Sequence, residues 1–319
     1  MQEAGRRMVL ANRLTKPVTY RLVSALGHAE RFVGDVARAG RFLSERRVFK
    51  PRDDDIFVVT YPRSGTTWLQ YILHLMLSDA PEEAPCFNHL CEVSPWFERN
   101  LSLGYRTAAD FDTFESPRIF KSHLPPTWLP VGGRVIHCTR HLPDVIASYF
   151  RLYRSHLGYT ADIERFRADL FAGKLQYGRP DDFLTSWQTQ TRHPTVLPLR
   201  YESLQTDFIG TLRSVASFLG VSLTDERAAQ IQEKASFAAM KAAEEKFDPI
   251  TEDLLLSGKT RGAFLRQGQS TASARGSNDD ACRQTDADGR PSGRGDAPDW
   301  KQTAQIQLRH AFGLSRFLH

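Results

Sequence analysis

The amino-acid sequence predicts an α/β fold: a single domain with a mainly parallel central sheet flanked by helices. Three observations carry that expectation. Ile56-Phe57-Val58-Val59-Thr60 is a continuous apolar run of the kind that is covered on both faces. Short β-like runs recur at 118–121, 134–138 and 196–200. Helical periodicity at 66–77, 142–153 and 204–219 follows these runs, and strands alternating with helices pair in parallel through crossovers.

Along the chain, apolar positions at helical spacing with interleaved arginines fill residues 8–49. Residues 1–50 are therefore expected to form a basic helical extension packed on the domain, and 51–319 the domain itself. The same basic, amphipathic pattern also suits peripheral contact with a membrane or a partner. After the first strand come further helices at 181–191 and 224–235, the second opened by a Thr cap and an acidic first turn. Residues 269–298 contain no Val, Ile, Leu, Met, Phe, Trp or Tyr, so nothing offsets the entropy of ordering them. A disordered insert is expected there.

The hydrophobic fraction of 41% excludes a wholly disordered chain, and a formal charge of +5 suits an anionic partner. No run of about 18 apolar residues and no signal-peptide pattern occurs, so an unexported, cytoplasmic protein without an integral membrane segment is expected. Four cysteines without metal-binding spacing point to reduced thiols rather than a disulfide framework or a metal site, although Cys86 and Cys91 are near enough in sequence to pair.

The first strand runs directly into Tyr61-Pro62-Arg63-Ser64-Gly65-Thr66-Thr67-Trp68 and then a helix. A turn at a helix N-terminus presents free N–H groups and the positive end of the dipole. Gly65 lets the backbone approach an oxyanion, Ser64, Thr66 and Thr67 add hydroxyls, and Arg63 adds charge. The turn lacks the second glycine and the lysine of GxxxxGK[ST], and it is not GxGxxG. A plain strand-to-helix turn rich in cap residues is the competing reading.

Two more blocks fall just past strands. Phe120-Lys121-Ser122-His123-Leu124-Pro125 pairs a histidine able to take a proton with a lysine able to offset charge on a leaving oxygen. Cys138-Thr139-Arg140-His141-Leu142-Pro143-Asp144 continues to Ser148, and Arg140 and Ser148 would converge on one phosphate at the carboxyl end of the sheet. Taken singly, Arg140 reads as well as a surface ion pair and His123 as a structural histidine.

Tyr-Pro-Arg-Ser-Gly-Thr-Thr-Trp resembles the 5′-phosphosulfate loop of the cytosolic sulfotransferases, which move a sulfuryl group from 3′-phosphoadenosine 5′-phosphosulfate (PAPS) to an acceptor. The family has lysine where Arg63 stands, a charge-preserving departure with different geometry. The block from Cys138 is similar to the family's 3′-phosphate motif, and Lys-Ser-His-Leu-Pro is similar to Lys-Thr-His-Leu-Pro, whose histidine is the catalytic base. The resemblance spans about residues 50–268 and implies a P-loop-NTPase-like sulfotransferase fold.

It also implies roles. His123 is the expected base, with Lys121 and Arg63 neutralising the leaving phosphate; Arg63, Ser64, Gly65, Thr66, Thr67, Arg140 and Ser148 would hold the donor, PAPS, without a metal. Tyr201, Phe237, Met240 and Trp68 would line the adenine, since Ser236-Phe237-Ala238-Ala239-Met240-Lys241 is similar to the family's Ser-Phe-x-x-Met-Lys. Arg266, Gln267 and Gly268 stand for the family's Arg-Lys-Gly, with glutamine replacing lysine and Asp299-Trp300-Lys301 displaced downstream; Arg294 is the rival for Arg266. The family's dimerisation sequence is not recognisable and the oligomeric state stays open.

The expected reaction is sulfuryl transfer to a hydroxyl or amine of a small, partly apolar acceptor. Phe87, Trp96, Phe97, Tyr105, Phe111, Phe114 and Trp128 are candidates for the acceptor pocket, or for core. A nucleotide-dependent phosphotransferase, which would need metal-binding carboxylates and a loop lysine, and a non-catalytic binder of anionic ligands or membrane surfaces are the alternatives. No nucleic-acid partner is expected.

Overall fold

A computed structural model of the chain describes residues 33–78, 87–130 and 132–248. Among the described residues four strands form one sheet: β1 (Ile56–Thr60), β2 (Ile119–Ser122), β3 (Arg134–Thr139) and β4 (Val196–Arg200). Their order is β2-β1-β3-β4 and every pair is parallel. The expected strands are therefore present, β2 shifted by one residue.

β1 lies between two neighbours and under two layers, so it has no face for water. Phe57 and Val59 point into one core cluster and Ile56 and Val58 into the other, the period-2 alternation of a strand. Burying each such side chain contributes about 1.5–3 kcal/mol relative to exposure. That is why the central strand reads as unbroken apolar sequence.

Helices cover both layers. α1 spans residues 33–48 and buries Phe42 in the Phe57 cluster, although Val33, Val36 and Val48 remain exposed. α2 (Thr66–Leu77) follows β1 and packs Leu69, Ile72 and Leu73 into the Val58 cluster. Between β1 and β2 lie two short helices, α3 (Phe97–Leu103) and α4 (Ala108–Asp112), the latter opened by a Thr107–Asp110 capping box. α5 (Leu142–His156), α6 (Ile163–Phe171) and α7 (Pro180–Gln188) connect β3 to β4 on the Phe57 side.

The helical pattern expected at 204–219 is two helices, α8 (Tyr201–Thr206) and α9 (Phe208–Leu219). Asp207 breaks them: its backbone leaves the helical region at φ −143°, ψ 75°, and its carboxylate accepts from Gly210 N at 2.9 Å. α10 (Asp225–Lys234) starts at the expected Thr224 cap, and α11 (Phe237–Ala242) follows. Arg266, Gln267, Gly268, Arg294, the 269–298 insert, Cys86 and residues 1–32 of the extension lie outside the described residues. Among the described residues Cys91 and Cys138 are free thiols, and no helix is long and apolar enough to cross a membrane.

The amino end of the sheet is locked by a fully buried ion pair. Arg118 donates Nε to Asp55 Oδ1 and Nη2 to Oδ2, both at 2.7 Å. Its other donors reach Phe111 O, Asp112 Oδ1 and Lys50 O, and its plane lies near the Phe49 and Phe120 rings. The carboxyl end is different. Successive connections leave β1 and β3 in opposite directions, which opens a crevice beyond Thr60 and Thr139.

Candidate active site

The turn after β1 carries the backbone through the left-handed region twice, at Arg63 (φ 71°) and Gly65 (φ 90°). A Cβ at Gly65 would sit 2.5 Å from Tyr201 Cδ2, so only glycine lets the chain pass the ring there. Among the described residues no side chain caps α2, which leaves its first-turn N–H groups and positive dipole end for an anion. Thr66 is tied to the end of β1 through its hydroxyl, 2.6 Å from that of Thr60.

The second wall comes from β3, α5 and α8. Arg63 Nε donates to Ser148 Oγ at 3.0 Å, and Arg140 Nη1 donates to Arg63 O at 3.1 Å. The Arg140 guanidinium lies 4.3 Å from the centre of the Tyr201 ring, and its buried Nε has no hydrogen-bond partner among the described residues. Arg140 makes no salt bridge there, unlike the surface ion pair that its position alone would suggest. Trp68 Nε1 donates to Ala235 O at 2.7 Å, tethering the segment that leads to Phe237 and Met240. Phe237 is exposed, while Met240 is buried in the Val58 cluster.

Lys121 and His123, two residues apart at the end of β2, share a side of the strand. His123 Nδ1 lies 2.7 Å from the carbonyl of Thr60; a carbonyl only accepts, so Nδ1 carries the proton and Nε2 keeps its lone pair. Burial, reinforced by the positive charges of Lys121 and Arg63, holds the imidazole well below its ordinary pKa, against the opposing Thr60 bond. Burial therefore favours the neutral ring.

Lys121 is 7% exposed, and among the described residues no carboxylate lies within salt-bridge distance of its ammonium. Its Nζ sits 3.8 Å from the centre of the Trp96 ring instead. Burial first, then Arg99 and Arg63, lower its pKa to about 8, with Cys91 and Glu98 acting the other way. The 95–96 segment runs alongside it, Lys121 N donating to Pro95 O at 2.9 Å.

Two residues complete this corner. Tyr177 stacks on Trp96 at 6.0 Å and meets His123 edge-on at 5.1 Å, with a left-handed backbone (φ 72°). Arg63 and Tyr177 are the two non-glycine residues with positive φ among those described, a conformation that costs on the order of 1–3 kcal/mol and is held only where surroundings impose it. Tyr61 links them, its hydroxyl donating to Gly178 O at 2.7 Å. The buried Glu98 carboxylate accepts from the Trp96 indole at 2.6 Å and from His123 N at 2.8 Å.

The whole donor set around the turn is N–H, hydroxyl and cation, the chemistry of a polyanion site. The sequence model described as the Sulfotransferase domain matches residues 53–272. The chain belongs to the sulfotransferase family. Rat Sulfotransferase 2B1 is 32% identical over 224 residues, covering 68% of this chain and 64% of the relative. The sulfotransferase fold is shared with two solved structures. One is retinol dehydratase in complex with androsterone and inactive cofactor PAP (TM-score 0.60, 19% identity, 72% of this chain and 78% of that one). The other is mouse sulfotransferase SULT7A1 complexed with PAP (TM-score 0.55, 24% identity, 73% and 81%).

In this member of the family the predicted residues Arg63, Ser64, Gly65, Thr66, Thr67, Trp68, Lys121, His123, Arg140, Ser148 and Tyr201 gather at the carboxyl end of the sheet. The proposed aromatic pocket does not gather in the same way. Phe97 and Phe111 are fully buried core, Phe87 packs on Tyr71 and Phe247, and Tyr105 is exposed; Trp96 is the one of these that touches His123. Glu98 and Tyr177 were not singled out from sequence. A polar residue flanked by Trp96-Phe97 and a tyrosine before Gly178 are the signals available, and neither is specific.

Proposed function

We propose that this chain transfers a sulfuryl group from PAPS to a hydroxyl or amine of a small, partly apolar acceptor, with His123 as general base. The observation that carries the reading is the His123 tautomer: Nδ1 is committed to Thr60 O, so Nε2 is the accepting nitrogen, beside a lysine without a salt-bridge partner among the described residues. PAP in the two solved relatives supports the donor, and androsterone in one of them supports an apolar acceptor.

The residues present fit the donor. Among the described residues Arg140 Nε has no partner and no side chain caps the α2 N-terminus, which leaves donors suited to phosphate, with Arg63, Ser64, Gly65, Thr66, Thr67 and Ser148 around them. Trp68, Tyr201, Phe237, Met240 and, at the far phosphate, Arg266, Gln267 and Gly268 are assigned to the nucleotide by the family pattern. PAPS when bound supplies the sulfuryl group and a phosphate leaving group.

His123 Nε2 takes the acceptor's proton as its oxygen or nitrogen becomes nucleophilic. Lys121 and Arg63 hold positive charge where negative charge accumulates, in a site too dry to screen it. Trp96 and Tyr177 form apolar walls beside the base, which suits an acceptor with an apolar body and one reacting group. Cytoplasmic location belongs to the same reading, by kinship with the family.

The test is incubation with sulfur-labelled PAPS and a panel of phenols, alcohols, amines and sterols. Labelled acceptor in any arm supports the reading; failure to bind either PAPS or PAP overturns it.

A further inference from the structure

We propose that Glu98 is a positioning residue of the transfer site: one buried carboxylate holds both the indole that carries the Lys121 ammonium and the main chain that carries His123. The role rests on the reading of His123 as base and Lys121 as cation given above, and it goes beyond that reading by naming what sets their spacing.

Glu98 sits in the first turn of α3 and is 2% exposed. A carboxylate there must be answered by donors, because an unanswered buried charge is costly. Two donors reach its Oε1, both from the site, while the buried Oε2 has no hydrogen-bond partner among the described residues. Trp96 Nε1 donates to Oε1 at 2.6 Å, which fixes the plane of the ring under Lys121. His123 N donates to the same oxygen at 2.8 Å, which fixes the backbone from which the imidazole reaches Thr60 O.

No other described side chain is bonded to both partners. Trp96 in turn stacks on Tyr177 and meets the His123 ring at 5.0 Å, so a tilt of the indole moves the Lys121 support and the acceptor wall together. α3 thus contributes to the site although it is not part of the phosphate turn. Burial raises the Glu98 pKa, and the bonds from Trp96 and His123 oppose the rise. The charged or titratable groups acting on Lys121 are Cys91, Arg99, Glu98 and Arg63, of which Glu98 and Cys91 favour its protonated form.

Two variants separate orientation from charge. Glu98→Gln keeps an accepting oxygen and removes the charge; Glu98→Ala removes both. Label transfer from sulfur-labelled PAPS is followed across the neutral and alkaline range, with PAP affinity and thermal melting measured on the same preparations. Misplacing reacting groups by about 1 Å costs on the order of 10²-fold, so Glu98→Ala should lose roughly ten- to a hundredfold in kcat with PAP affinity retained. Glu98→Gln should keep more of the rate, but its alkaline limb should move to lower pH, because Lys121 has lost an anion that favours its charge.

Wild-type kcat and an unmoved alkaline limb in both variants would overturn the role while leaving the proposed reaction intact. Parallel loss of kcat, PAP affinity and melting temperature in Glu98→Gln would reduce Glu98 to a structural residue and also overturn it. Wild-type protein that binds no PAP and transfers no label would defeat the proposed reaction, and this role with it.

Discussion

Arg118 and Lys121 stand three residues apart on the same strand region, both buried and both cationic, yet they have opposite surroundings. Arg118 is answered by Asp55 through two parallel bonds and by further oxygens at Phe111, Asp112 and Lys50. Among the described residues the Lys121 ammonium has no carboxylate within salt-bridge distance and lies over the face of Trp96, and its pKa is drawn down to about 8. A buried charge whose donors are all met holds a fold together; one left unmet is a standing electrostatic cost that a ligand's charge can offset. The amino end of the sheet is therefore structural, and the carboxyl end holds the charge expected of the proposed site.

The sharpest break of that comparison concerns the base. His123→Ala should lower turnover by roughly 10²- to 10⁴-fold with PAP affinity and melting little changed; near wild-type rates would remove His123 from the mechanism. At the other end, Arg118→Met leaves Asp55 buried without its partner. It should cost about 3–5 kcal/mol in denaturant unfolding, with residual folded protein still able to bind PAP. An unaltered unfolding midpoint would mean that the two ends do not differ as described.

Lys121→Met should do the reverse of Arg118→Met. Removing one charged group aimed at developing charge costs about 10²-fold in rate, while stability should equal or exceed that of the wild type because an unpaired buried charge has gone. A smaller effect is expected at the turn. Gly65→Ala puts a side chain at φ 90° and against Tyr201, and strain of about 1–2 kcal/mol should weaken PAP binding by roughly tenfold.

The pH dependence is the mildest test. The rate should fall above about pH 8 as Lys121 loses its proton. Stability should fall on acidification from the ordinary histidine value of 6.5 toward about 4, since His137, stacked on Trp187 and buried, has its folded pKa lowered to about 4 and the unfolded chain binds the proton first. His123 adds to the same acid loss, its pKa being lowered by burial. An acid-stable fold with an alkaline-tolerant rate would contradict both assignments.

Much of this was legible in the residues. β1 was readable because a strand covered on both faces needs apolar residues throughout. The phosphate turn was readable because its chemistry is local, from Tyr61 to Trp68. The short helices α3, α4, α6 and α11 were not, since five to nine residues carry too little periodicity to declare a face. Nor was the break between α8 and α9, where Asp207 caps inside a pattern that reads as one continuous helix.

By itself, then, the sequence determined a parallel α/β sheet with an anion turn after its first strand, and the residues Arg63, Lys121, His123, Arg140 and Ser148 as a set. Only the tertiary structure decided which ring nitrogen of His123 meets Thr60 O, that Arg118 is ion-paired while Lys121 has no carboxylate within salt-bridge distance among the described residues, that Trp96 is the candidate pocket aromatic that reaches His123, and that Glu98 and Tyr177 lie beside it. The reason is that burial and hydrogen-bond satisfaction are properties of what surrounds a side chain, and those surroundings come from segments far apart in the chain.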